Sequence, residues 1–586
     1  MTRFGRTSKL VTAMLAGTLV LSACSSDDSD GDDNDDANGG GGGTGGTVTY
    51  AMAQPWQNYN QTTAGANTVA NGQVMAKVMS GFWYFGDSDG QAIANEEFGT
   101  FEKVSDDPLQ VDYSINPDAV WSDGTPIDCD DVLLWWSAQS GAFDGIFSVP
   151  GTQGIEDTER PDCAAGDKDF TLLYTLPYAD WLTAGPGHGN TTMMPAHVLA
   201  EQAGLSEEEF LAALQGDDPA PLEPAAEFYN NGWTIDGALP DEALIPSSGP
   251  YKISDYVTDE SVTLVRNEAY WGEPGAADSI VIRMVPEPEQ VQALQNGDVD
   301  IIEPQPTVDM AQQIAAASGL ESEVAEEYTY EHLDFNFDNG PFADSLELRE
   351  AFALCVPYET LVDNLIKPVV PDASVKQVRN VAPWDAGYQE AIDASAEWID
   401  AYGQTDVERS RQILEEQDAV GTTIRLGTLD NQRRNDAGVL IEASCEEAGF
   451  DVEFSAAADF FDTDGALSEG RFDVAMYAWS GSPDRSGWNS TYRTVGECSV
   501  DGKGNNNGCY SNAELDQLLD DVLRTGDLDE AVAITAEIEA HLWENLVTIP
   551  LYQHPGITAW NGAVQNVVPN PSQNGIVWNA HTWSKS

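Results

Sequence analysis

"DFNFDNGPFADSLELREAFALCVPYETLVDNLI", residues 334–366, sets the reading of the whole chain. Its first residues alternate as a strand does and end at Asn336. A Gly340-Pro341 turn follows, then a helix that opens at a serine and carries Arg349. Pro357-Tyr358 then marks a kink between two helices, because proline is tolerated in the first turn of a new helix. No catalytic motif lies in the stretch. Extended backwards, the strand reads "YTYEHLDFNF" (328–337), and period two puts Tyr328, Tyr330, His332, Asp334 and Asn336 on one face. Arg349 is expected to fix its helix by pairing with a carboxylate. Scaffold is the expected role of Asn336 and Arg349, since polar groups in such positions are usually satisfied locally.

Downstream, "TTIRLGTLD" (422–430), "NDAGVLIEASCEEAG" (435–449) and "FDVEFSA" (450–456) read as strand, helix, strand, with Gly449 where a helix C-cap wants a positive φ. That is a βαβ unit, normally part of a covered sheet with parallel strands. "RFDVAMYAWSGSPD" (471–484) gives a buried strand and a loop, 511–546 a helix pair, and "VTIPLYQHPGITAW" a return to strand. Upstream, "TVTYAMA" (47–53) alternates as a strand, and "TVANGQVMAKVMSGFWYF" (68–85) has helical spacing at Val74, Val78 and Phe82. "CDDVLLWWSAQS" (129–140) reads as a helix opening with acids. Ser206 and Glu209 fit a capping box. From 245 the texture is turn and strand, then a helix stopped by Gly297. No repeat of fixed period is present.

The chain has 586 residues, enough for several domains, and its 41% apolar and 9% aromatic content fits a folded body. The start differs. Arg3, Arg6 and Lys9 precede an apolar run from Leu10 to Ala23 that is too short and too rich in small residues for a membrane span, so 1–23 reads as a signal peptide. The run ends "LSAC" (21–24), which resembles the lipobox of bacterial lipoproteins and implies cleavage before Cys24 and its acylation. Residues 25–46 hold seven Asp and eight Gly and almost nothing that can be buried. With Cys24 they form a tether, 24–46, whose coil reaches about 26 Å. The Asp spacing lacks the Gly and terminal Glu of an EF-hand loop, so no metal is expected.

Net charge is −74, from 25 basic and 99 acidic residues. Phosphate repulsion and the lack of a basic stripe argue against nucleic acid. The charge is spread over the chain, which fits solubility or adaptation to high salt better than a cationic ligand. Cys129, Cys163, Cys355, Cys445, Cys498 and Cys509 are an even set in an exported chain, which points to disulfides. Their number leaves many pairings open. The expected set is 129–163, 355–445 and 498–509, the last closing the polar loop "SVDGKGNNNG". None has zinc spacing, and no cofactor is expected.

Several segments, in order, resemble one family. They are "VWSDGTPIDCDDVLLWW" (120–136), "SGPYKISDYVTDESVTLVRNEAYWG" (248–272), "ALQNGDVDI" (293–301), "DFNFDNGPFADSLELREAFAL" (334–354), "GRFDVAMYAWSGSPD" (470–484), "YSNAELDQLLDDV" (510–522) and "LVTIPLYQH" (546–554). The family is the extracytoplasmic solute-binding proteins of ABC importers, family 5, the oligopeptide/dipeptide/nickel-binding class. The resemblance implies an α/β, two-lobed clamshell of the periplasmic-binding-protein type (type II, cluster C) with an extra N-terminal subdomain. It places lobe I at 47–86, 243–325 and 547–586, the extra subdomain at 87–242, and lobe II at 326–546, with crossing strands near 326–336 and 546–553. It implies a monomer, lipid-anchored to the outer face of the cytoplasmic membrane, that binds a peptide or other small solute and delivers it to permease subunits.

In peptide-binding relatives an Asp in the loop after the strand's Trp clamps the ligand ammonium. Here that loop is "AWSGSPD". Ser482 stands at the position of that Asp, and Asp484 follows two residues later. A hydroxyl alone compensates a buried ammonium poorly, which costs several kcal/mol. Either Asp484 takes over, or the ligand lacks a free amino end, or Asp484 is only a turn residue after Pro483. Tyr477 and Trp479 share a strand face and Trp479 is expected in the pocket. Trp488 and Trp56 fit pocket or core equally. Tyr330 completes the candidate ligand set from the interlobe strand, with Asn336 beside it.

The rival readings are a secreted hydrolase, the same fold with a metal chelate, oligosaccharide or other solute, and a surface sensor without a transporter. The chain carries no GxSxG, no HExxH and no unpaired Cys beyond Cys24. "GPGHGN" (185–190) is the Gly-rich loop beside a His. It lacks a strand-to-helix context and reads as a surface loop.

Overall fold

The structure, a computed structural model, describes residues 45–585 except 144, 153, 380, 463, 482–483, 497 and 500–504. The signal stretch, the acylation site Cys24 and nearly all of the tether lie outside the described residues.

Ten strands build the main sheet: β1 (Thr47–Met52), β2 (Tyr251–Val257), β3 (Ser261–Arg266), β4 (Ser279–Met284), β5 (Ile301–Ile302), β6 (Leu320–Phe335), β7 (Thr423–Leu429), β8 (Asp451–Ala457), β9 (Val474–Trp479) and β10 (Thr548–Asn561). Their order is β8-β7-β9-β6-β10-β5-β1-β4-β3-β2. At the centre β6 and β10, 16 and 14 residues long, run antiparallel. On one side β7 pairs in parallel with β8 and β9; on the other β1 pairs in parallel with β4 and β5. The expected βαβ unit is therefore present, with helix Gln432–Ala448 as its crossover and Gly449 at φ 120° beyond its end.

The β6–β10 ladder slips between Glu326 and Tyr330. Pro555, which has no N–H to give, stands opposite Glu326 at that break. The Tyr328 N–H turns instead to the Pro571 carbonyl at 3.1 Å. The largest apolar cluster gathers residues from Val48 to Ile301 and from Trp560 to Trp583; a second gathers Leu333 to Tyr552. Strand β10 passes from one to the other, with Ile549 and Leu551 in the second and Trp560 in the first.

The stretch 334–366 folds much as its pattern predicts. Asn336 donates to the Gly470 and Phe472 carbonyls and accepts from the Asp338 and Asn339 N–H groups, closing the turn. Ser345 caps helix Leu346–Cys355, and a short helix resumes at Tyr358 after Pro357. Arg349 differs from expectation. It donates to two carbonyls, Phe342 at 2.6 Å and Asn545 at 3.2 Å, and stacks over Phe337 instead of meeting a carboxylate. Carbonyls satisfy its fork, and among the described residues no carboxylate pairs with it.

The helix expected over 68–85 also differs. It spans Val69–Met75, and Trp83–Gly86 is a strand paired with Gln91–Ala94. Gly81 interrupts it where a Cβ would meet the Gly187 Cα at 2.6 Å, so the chain must open there to pack on a neighbouring loop.

The expected disulfides form. Cys129–Cys163 ties helix Cys129–Gln139 to the loop before strand Asp169–Leu173; Cys355–Cys445 joins two helices; Cys498–Cys509 closes its polar loop.

Candidate functional site

β9 ends at Trp479, and helix Ser486–Tyr492 follows in the chain. Two cavities adjoin Asp484. One, about 140 Å³, is walled by Trp479, Gly481, Asp484 and Trp488. The other, about 220 Å³, shares Asp484 and is closed by Gln61, Thr183, His188 and Asn574 from distant parts of the chain. Asp484 therefore stands in the wall between the two, and its Oδ1 accepts the Thr183 hydroxyl at 2.7 Å.

The opposite wall is docked by further contacts. Asp180 accepts the Arg485 N–H at 2.8 Å and faces its guanidinium at 3.7 Å. The Ala179 N–H reaches the Leu523 carbonyl, and Arg524 pairs with Asp157. Segment 157–184 is thus held against 484–524 by charge and backbone bonds at several points.

Behind Trp479 lies a buried polar layer. The face predicted by period two carries Tyr330, His332 and Asp334, and the last two meet side chains of β9. The Tyr477 hydroxyl donates to Asp334 and accepts from Asn507. His332 lies between the Tyr477 and Trp479 rings, at 4.4 and 6.0 Å, and its Nε2 is 3.2 Å from Asp334. Burial, together with the Asp334 charge, holds the Tyr477 phenol well above its usual range. Tyr330 is fully buried, 3.5 Å from the Tyr492 hydroxyl and under the Lys376 ammonium. The layer is a rigid backing that keeps Trp479 in place.

Of the expected site residues, Trp479, Asp484 and Trp488 come together at the cavities, and Tyr477 and Tyr330 sit in the layer behind. Ser482 lies outside the described residues. Trp56 is elsewhere, fully buried and edge-on to Tyr256. Asn336 belongs to the turn described above. Thr183, Asp180 and His188 were not legible as site residues. The loop 185–190, expected on the surface, is buried at Gly185, Pro186 and Gly187. The Trp83 indole donates to the Gly185 carbonyl at 2.9 Å, and a Cβ on Gly187 would fall 2.1 Å from that indole nitrogen. The glycines are there for this close approach, and they bring His188 to the cavity.

Residues 91–497 match the model of bacterial extracellular solute-binding proteins, family 5 (middle region). The chain is a family 5 solute-binding protein. An uncharacterized lipoprotein of Mycobacterium tuberculosis is 29% identical over 98% of this chain and 96% of its own length. The oligopeptide-binding protein OppA of the same species is 24% identical over 87% of this chain and 80% of its own. Among solved structures, a periplasmic EDTA-binding protein, EppA, superposes with a TM-score of 0.80 at 24% identity, covering 93% of this chain and 98% of that one. The fold of this family 5 protein is accordingly the α/β two-lobed clamshell, and the cavities beside Asp484 belong to a solute-binding protein of an ABC importer.

Proposed function

We propose that this family 5 protein captures peptides between its lobes and hands them to a membrane permease, with no bond chemistry of its own. The observation that carries the reading is Asp484. A carboxylate in the wall between two cavities, beside the Trp479 and Trp488 rings, supplies what a peptide's ammonium end and variable side chains require. On this reading Asp484 takes the clamping role that Ser482 cannot fill. Likeness to an oligopeptide-binding relative supports it. The lobes are assigned as 47–86, 243–325 and 547–586 against 326–546, with 87–242 the added subdomain. The names of the lipoprotein relatives support export and acylation at Cys24, which would hold a monomer on the outer face of the cytoplasmic membrane.

The test is native mass spectrometry of the purified protein, followed by offering peptides with free and acetylated amino ends. Peptides released on denaturation, and a preference for free amino ends that D484N reduces about tenfold or more, are expected. Release of a metal chelate or a sugar instead would replace the ligand class while leaving the family unchanged.

A further inference from the structure

At the slip in the β6–β10 ladder, Glu327, Tyr328 and Thr329 on one strand face the single residue His554 on the other. The longer strand bulges, and ladder bonds are lost at the centre of the sheet. The freed groups find other partners. The Glu327 carbonyl accepts from the Gln553 side chain, and the Tyr328 N–H gives to Pro571. The Tyr328 carbonyl faces the chain beyond β9: a Cβ on Gly481 would fall 2.4 Å from its oxygen. Fewer backbone bonds hold this point than the ladder on either side, so side chains decide its geometry.

Tyr328 is buried, with its ring edge-on to Trp384 at 5.2 Å. Its hydroxyl donates to Asp385 Oδ1 at 2.6 Å and accepts from Gln91 Nε2 at 2.6 Å. Gln91 also donates to that carboxylate oxygen, at 3.2 Å, so the three side chains close a ring of bonds. The second oxygen of Asp385 accepts the Ala382 N–H at 2.9 Å. Burial first, and the bond to Asp385 second, push the Tyr328 phenol well above its usual range, so it stays a donor.

The partners of Tyr328 are anchored separately. Gln91 lies in the hairpin of Trp83–Gly86 with Gln91–Ala94, which Asn570 and Asn574 fasten through the Asp87 and Phe85 carbonyls. Asp385 follows a stretch tied to helix Leu528–Glu544 by the Arg379–Glu539 pair and by the Trp543 indole on the Gln377 carbonyl. Residues 570–574 are assigned to lobe I and 377–385 to lobe II. The ring of bonds therefore joins the two lobes where the connecting strand is least tied.

We propose that Tyr328 is a positioning residue for solute release, a latch whose hydroxyl holds the lobes together at the ladder break through Asp385 and Gln91. The inference rests on the lobe assignment above and deepens it. When the lobes part, the phenol leaves Asp385 or Gln91. The Tyr328 carbonyl then moves against Gly481, so opening reaches the chain between Trp479 and Asp484.

The experiment records small-angle scattering of the full-length protein with and without a pool of random pentapeptides, and follows release of retained peptide by tryptophan fluorescence. Wild type is expected to compact with the pool. Y328F keeps the ring against Trp384 and loses the hydroxyl. It should move the ratio of compact to extended forms about tenfold toward extended, and speed release about tenfold, as loss of a bond to a charged acceptor requires. Q91M, in the hairpin, should shift both in the same direction, which keeps the latch testable if Y328F fails to fold. Folded Y328F and Q91M that match wild type in both readouts overturn the latch and leave the lobe assignment standing. Wild type that retains peptide by native mass spectrometry yet scatters the same with and without it overturns the hinged lobes, and the latch with them. If wild type retains no peptide, the peptide reading fails, and the solute-free ratio of Y328F against wild type still decides the latch: a shift toward extended supports it, and equal ratios overturn it.

Discussion

His554 on β10 and Glu331 on β6 are joined across the two central strands by a 2.8 Å bond from Nε2 to Oε2. Arg433 reaches the other ring nitrogen, Nδ1, at 3.0 Å. A guanidinium can only donate, so Nδ1 accepts, the proton sits on Nε2, and the imidazole is neutral. Arg434 completes the group with a 2.8 Å bond to Oε1 of Glu331. Burial first, and the Arg433 charge second, lower His554 to about 4, against the pull of Glu331. Burial would raise Glu331, but Arg434 and His554 outweigh it and hold it at about 2.

The unfolded chain takes up a proton on His554 near 6.5, whereas the folded protein resists until about 4. This stabilisation is full above 6.5 and is lost as pH falls from 6.5 through 4, by up to about 3 kcal/mol. His188 and His581 are lowered in the same sense, so the measurement is a difference. Thermal midpoints of wild type should fall over this window more steeply than those of H554Q. Glu331 adds a second loss only below about 4.5. Parallel curves for the two proteins between pH 6.5 and 4 would remove His554 from the account.

Arg379 and Glu539 form a pair in which both side chains are fully buried. Arg379 also donates to the Thr548 hydroxyl and carbonyl, both at 2.7 Å, and its own N–H reaches Glu539. The pair pins the chain at Arg379 to helix Leu528–Glu544 and to the start of β10. E539Q leaves a buried guanidinium uncompensated and is expected to cost about 3–5 kcal/mol in denaturant unfolding. R379M/E539M should lose clearly less than the sum of R379M and E539M, because it removes the stranded charge. Strict additivity would deny the coupling.

Cys355–Cys445 joins helices Leu346–Cys355 and Gln432–Ala448 across 90 residues, with both cysteines fully buried. Closing so long a loop restricts the unfolded chain most of all. C355A/C445A is expected to lower stability by about 3–5 kcal/mol. C498A/C509A, which opens a loop of 11 residues, should lose less. Paired unfolding curves under oxidising conditions check the order; equal losses would contradict the loop-length argument.

Much of the fold was legible because its signals are periodic or punctuated. The alternation of "YTYEHLDF" gave the facing of β6, and Gly297 and Gly449 marked helix ends where the chain turns to positive φ. What failed depended on partners far away in sequence. Arg349 had to find its acceptors at Phe342 and Asn545, one of them 196 residues distant. The helical spacing of 68–85 gave way to the packing of Gly81 on Gly187. The site divides in the same manner. Trp479 and Asp484 follow from one local motif, while Thr183 meets Asp484 across 301 residues.

Asp157 with Arg524 and Asp180 with Arg485 hold segment 157–184 against the loop that carries Asp484. Both arginines are partly exposed, and such pairs contribute about 0–1 kcal/mol each to global stability. Their local effect is larger in proportion, because the segment is otherwise fastened here by single bonds such as Ala179 to Leu523. D157N/D180N is therefore expected to shift the thermal midpoint little. Amide exchange at 177–184 and 484–487 should rise about tenfold, equivalent to roughly 1.4 kcal/mol of local opening. Raising salt should reproduce part of the effect in wild type and little in the variant, since screening acts on the pairs the variant lacks. A large fall in midpoint without a selective gain in exchange would mean that these acids support the core, and that the wall opposite Asp484 is held by other contacts.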